Sequence, residues 1–219
     1  MRPVGLAVLV LVMLATQERP PQILQIYRDS VKEGGEAAYK AIEEDAARIC
    51  ADLRFPHPHL AIESLTGPKE VWWLNAFESE ADRQQVTEDY TKNPALVAAL
   101  EGIAKRKEEV TGTPVTVFAT YRADLSHGVS WNPAGTRFIV VTVTKRDPQL
   151  EGAVFETPDG TRFLLRPVGT RSEAEVLAKS AGADATVFAV RPYWGMPAKE
   201  WSDADPEFWK PNPMAGTRR

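Results

Sequence analysis

The stretch GPKEVWWLNAFESEAD, Gly67 to Asp82, carries a turn, a strand and the start of a helix in one short run. Gly67-Pro68 predicts a chain reversal. EVWWLNAF has the aromatic and apolar character of a strand, and Ser79 with Asp82 has the form of a helix N-cap. Immediately upstream, HLAIESL (His59–Leu65) is a second strand, so the pair reads as a hairpin feeding a helix.

Working outward on the N-terminal side, Pro56 and Pro58 exclude helix and hold Phe55 and His57 extended. Before them Tyr39, Ile42, Ala46, Ile49 and Leu53 recur at steps of three and four, with Glu43, Glu44, Asp45, Arg48 and Asp52 on the opposite side, the pattern of an amphipathic helix. ILQIYRDSV (Ile23–Val31) precedes it as a first strand, ended by Gly34-Gly35. On the C-terminal side the helix from Glu80 restarts at Pro94 behind an Asn93 cap, carrying Leu96, Val97, Leu100, Ile103 and Val110 on its apolar side. TPVTVFATYRA then supplies a fourth strand. Strand, helix, strand, strand, helix, strand is the ferredoxin-like order: an α+β unit with a four-stranded antiparallel sheet and both helices on one face.

Such a sheet leaves its other face bare, and the second half offers a cover. TVFA at Thr116–Ala119 recurs at Thr186–Ala189, and SEAD at Ser79–Asp82 recurs as SEAE at Ser172–Glu175. The two matches fall in the same order, after comparable turns and strands, as expected of a degenerate tandem repeat. No counterpart of the first helix is present between TRFIVVTVTKRDP and GAVFETPDG, so the first two strands of this half are expected to pair as a hairpin. The resulting organisation is a signal peptide (1–20), a ferredoxin-like half (21–126), a linker (127–136), a second half lacking its first helix (137–192) and an irregular Pro/Trp-rich tail (193–219).

The first half, about Ile23 to Leu125, resembles the dimeric α/β-barrel superfamily, including the antibiotic-biosynthesis-type and haem-degrading monooxygenases and NIPSNAP-like proteins. The likeness rests on element order and is a resemblance of fold. It implies that two ferredoxin-like sheets press together, here both from one chain, as a monomeric barrel or within a homodimer. Haem-degrading members use a His on the second helix, and the segment Glu80–Val110 has none. Cofactor-independent members hold a phenolic substrate with Trp, Asn and aromatic groups, which this chain also carries. No cofactor is expected.

In 219 residues with 43% hydrophobic and 26% charged content there is room for one sizeable domain or two small ones. Net charge is −4, with basic residues scattered among acids, which excludes a nucleic-acid footprint. MRPVGLAVLVLVMLATQERPPQ, with one early arginine and an apolar run too short to span a bilayer, reads as a secretory signal; an exported chain with no membrane attachment after cleavage is expected. Cys50 is the single cysteine, so neither an intramolecular disulfide nor a thiolate metal cluster can form.

His57, His59 and Glu63 have spacing that would let an extended strand present two imidazoles and a carboxylate together, the basis of a metal-dependent reading. The spacing resembles that of cupins, but Ala51 and Glu70 stand where that motif has glycines. Strand parity gives a broader reading. Leu60 and Ile62 share one face, taken as the helix side. His59 and Glu63, with Gln25, Tyr27, Trp73 and Asn75, would line a mixed aromatic and polar cavity on the other face. Three functions follow: binding of a small aromatic or apolar molecule, with Gln25, Tyr27 and Trp73 as ligand contacts; a cofactor-independent monooxygenase or isomerase with His59, Glu63 and Asn75 as its chemical groups; or the metal enzyme.

Overall fold

The computed structural model describes residues 19–129, 131–182 and 184–209. The signal-peptide reading therefore lies almost wholly outside the described residues, as does the end of the tail. No helix among the described residues is long and apolar enough to cross a membrane.

The first half folds as β1 (Ile23–Ser30), α1 (Glu36–Asp52), β2 (His59–Ser64), β3 (Glu70–Phe77), α2 (Glu80–Thr91), α3 (Pro94–Lys107) and β4 (Val115–Tyr121). The second half gives β5 (Phe138–Thr144), β6 (Ala153–Glu156), β7 (Arg162–Val168), α4 (Arg171–Ala181) and β8 (Ala185–Val190). The caps are made locally. Ser79 accepts from the Asp82 amide, Asn93 from the Leu96 amide ahead of Pro94, and Thr170 forms a reciprocal capping box with Glu173.

All eight strands close into one antiparallel barrel in the order β1-β3-β2-β8-β5-β7-β6-β4. Each half contributes a ferredoxin-like four-strand order, and the outer strand of each pairs with the outer strand of the other: β2 with β8 and β4 with β6. Neither half keeps an open edge or an uncovered face.

The hairpin expected between the first two strands of the second half does not form, because β7 lies between β5 and β6. Val141 and Ala153 both pair with Leu165, so β6 begins level with a point only three residues before the end of β5. The return path is therefore about 10 Å at 3.3 Å per residue, plus two strand spacings. Residues 145–152 cover it without a helix.

The barrel interior is packed with side chains, among them Leu24, Ile26, Leu60, Ile62, Trp72, Phe155, Phe163 and Phe188. This reverses the expected facing of β2. Leu60 and Ile62 point into the barrel and His59 toward the helices, because the closed interior is the water-free compartment and takes the more apolar face of the strand. The outer face of the first sheet is covered by α1 and α3, that of the second by α4 through Ala174 against Val140 and Val187.

In its described part the tail is not wholly irregular. α5 (Lys199–Ala204) and α6 (Pro206–Trp209) are short helices, and Trp209, 3% exposed, packs with the barrel core while its indole donates to the Ala134 carbonyl at 3.0 Å. Trp131 of the linker joins the same core.

Candidate active site: a cleft between sheet and helices

Three ladder rows cross the outer face of the first sheet. Gln25 pairs with Asn75, and Asn75 with His59; Tyr27 pairs with Trp73, and Trp73 with Ala61; Asp29 pairs with Val71, and Val71 with Glu63. With α1, α2 and α3 above, the first two rows floor a cleft of about 420 Å³. Gln25, Tyr27, His59, Trp73 and Asn75 all line it. Small residues on the helices, Ala46, Ala47, Cys50 and Ala104, leave the space open.

Glu63 stands outside the cleft. It lies four residues from His59, about 13 Å along the strand, and its carboxylate accepts from Arg191 Nε at 2.5 Å across the β2–β8 seam. His57 precedes the strand; its ring stacks on Phe77 at 4.7 Å and its Nε2 lies 2.8 Å from the Ala76 carbonyl. The three groups of the metal reading thus point to three places, and no set of metal-ligating side chains converges among the described residues.

The inner end of the cleft holds a cluster that sequence periodicity misassigns. Glu43, read as solvent-facing, is 2% exposed, and Asp29 is 1% exposed. Lys107, the last residue of α3, reaches both carboxylates, at 2.6 Å to Glu43 and 3.1 Å to Asp29. Its ammonium also lies 4.2 Å from the centroid of the Trp73 ring. The Tyr39 hydroxyl donates to Asp29 at 3.0 Å. Two buried carboxylates share one ammonium. Burial raises the Glu43 pKa despite the opposing pull of Lys107. Burial likewise raises the pKa of Tyr27 and Tyr39, so both phenols stay protonated. His59 is pushed down to about 4 by burial, so its imidazole is neutral. Cys50 is pushed up to about 12 by burial, which leaves an unreactive thiol.

Trp194, from the segment after β8, closes one side of the cleft and meets Tyr39 edge-on at 6.2 Å. Two bonds between His59 and Met196 hold that segment, amide to carbonyl at 2.8 and 3.0 Å. A side chain at Gly195 would meet the His59 carbonyl at 2.7 Å, so only glycine allows this approach. Trp194 carries no periodic signal in a Pro- and Trp-rich run; Gln25, Asn75 and His59 were expected on one face, but on the side away from the helices, and the structure turns that face toward them.

No protein-family model matches the chain, and no curated protein matches it. Among solved structures, it is similar to a candidate monooxygenase of Fusobacterium nucleatum subsp. nucleatum, with 13% identity, 80% of this chain and 93% of that one covered, and a TM-score of 0.46. A candidate monooxygenase of Lactobacillus acidophilus shares 7% identity over 78% of this chain and 94% of its own, with a TM-score of 0.43. A mutant chlorite dismutase of Candidatus Nitrospira defluvii shares 7% over 78% and 92%, with a TM-score of 0.39. The strand order and closed barrel define the class on their own: a dimeric α/β-barrel-type fold built within a single chain.

Proposed function

We propose that the protein binds a small, flat, largely apolar molecule in the cleft between β1, β2, β3 and the helices α1–α3. The observation that carries this reading is a cleft of about 420 Å³ with an aromatic floor and small-residue walls, with the Gln25–Asn75 amides toward one end and the Glu43–Lys107 pair toward the other. Asn75 and Gln25 offer amides to a carbonyl or hydroxyl on the ligand edge, and the Glu43–Lys107 pair meets its inner end.

Titration calorimetry with 1-naphthol as probe tests the proposal. One-site binding is expected, and Ala47→Phe, which projects a ring from α1 into the cleft, should abolish it while leaving the unfolding midpoint close to that of the parent. Undiminished binding by a folded Ala47→Phe protein would remove the cleft as the site.

A second reading, cofactor-independent oxidation or isomerisation, is favoured by the buried carboxylates beside Lys107. Glu43, whose pKa burial raises, and Tyr27 are placed to pass a proton to a carbanion or phenolate beside Lys107. With dioxygen as co-substrate, a benzylic CH₂ would become C=O, the second oxygen atom leaving as water. Dioxygen uptake with reduced polycyclic phenols, lost at least 100-fold in Glu43→Gln, is the expected result; uptake no faster than in buffer would leave binding alone. Export from the cytoplasm belongs to the same proposal, and N-terminal sequencing of the protein recovered from the periplasm or medium checks it.

A further inference from the structure

The second sheet carries a cavity at the place matching the cleft of the first. Asn75 stands four residues before the α2 cap Ser79, and Arg166 four residues before the α4 cap Thr170, both on the outer face of the third strand of their half. Arg166 lines a cavity of about 290 Å³ with Leu150, Glu151, Pro167 and Leu177. Here the missing helix is replaced by the connection 145–152, and Gly152 lies against the arginine. A side chain at Gly152 would meet Arg166 Cγ and Leu164 Cδ1 at 2.7 Å, and its φ of +144° also favours glycine.

Arg166 is 6% exposed, yet its Nε and Nη2 have no hydrogen-bond partner among the described residues. Buried donors of a charged group are almost always satisfied. Nε–H and Nη2–H are the two parallel donors on one side of the guanidinium, the fork that a carboxylate matches with both oxygens. Burial is the only influence on its pKa, which it lowers; no neighbouring charge contributes. Glu151, the one carboxylate lining the cavity, lies with its carboxyl carbon against Gly128, where a Cβ would come within 2.7 Å. The remaining walls are mainly apolar.

We infer that this cavity is a binding site for a small monocarboxylate with an apolar body, its carboxylate taken by the Arg166 guanidinium and its body against Leu150, Pro167 and Leu177. With one cation and one carboxylate in its lining, the cavity favours a singly charged ligand over sulfate or phosphate.

Benzoate is the probe, with chloride and sulfate at equal ionic strength as controls, read by melting temperature and calorimetry. A saturable benzoate response is expected, weakened at least tenfold in Arg166→Gln and in Arg166→Lys, which keeps charge without the fork. Glu151→Gln, a surface change that leaves the arginine in place, should tighten binding several-fold. The response should persist in Ala47→Phe, which fills the other cleft. No saturable response beyond chloride, an equal response in folded Arg166→Gln, loss in Ala47→Phe, or an unchanged affinity in Glu151→Gln would overturn the assignment. A sulfate response equal to that of benzoate would overturn the monocarboxylate class.

Discussion

His59 is buried beside Phe55, its ring 5.3 Å from that of Phe55, and its pKa falls from 6.5 to about 4. Between these values the unfolded chain takes up a proton that the folded protein refuses, so its contribution to stability is complete above pH 6.5 and lost as pH falls toward 4. The loss is about 3 kcal/mol, at 1.36 kcal/mol per unit. Urea unfolding of parent and His59→Gln at pH 7 and pH 4.5 should show a smaller acid loss in the variant; equal losses would mean that the ring is hydrated. Period-two alternation told which residues of a strand share His59's face, but not which face meets the helices, and His59 was expected on the far side. Glu43 was not legible as a buried residue. It sits among Glu44, Asp45 and Arg48 in the sequence, and its burial comes from Asp29 and Lys107 on other elements. No local pattern encodes that meeting.

Among the long helices, α2 is the least anchored. None of its residues is buried, though Val86, Thr87 and Tyr90 roof the cleft. Its polar side chains pair mainly along the helix, as Arg83 does with Glu80 and Gln85 with Asp89. Local opening should therefore cost far less here than in α1 or α3. Amide exchange is expected to be fastest in α2 among the long helices and to slow when the cleft is filled by 1-naphthol; exchange as slow as in α1 would contradict this. The repeated tetrapeptides illustrate how far sequence likeness reached at this scale. TVFA does mark matching strands, β4 and β8, but Phe118 lies on the outer face at the cleft while Phe188 is inside the barrel. The two copies are out of step by an odd number of residues, which reverses every side chain. The element was identified and its facing was not.

At the level of the whole molecule, each sheet is the other's core. A fragment of residues 21–126 would expose Leu24, Ile26, Leu60, Ile62, Trp72 and Leu74 on one face together with the free edges of β2 and β4. Such a surface is too apolar to remain in water. That fragment should dimerise or aggregate in gel filtration, whereas the full chain should run as a monomer; a stable monomeric fragment would show that the barrel interior is dispensable. The barrel itself was foreseen from an order of elements, since a one-faced sheet must find a cover. The strand order of the second half was not, because it depends on how late β6 begins.

The covalent join between the halves has a genetic consequence. In a barrel assembled from two identical chains, every substitution appears twice and both outer clefts must change together. Here position 75 can remain asparagine while position 166 is arginine. The two clefts are free to diverge in charge and in lining, each without altering the other.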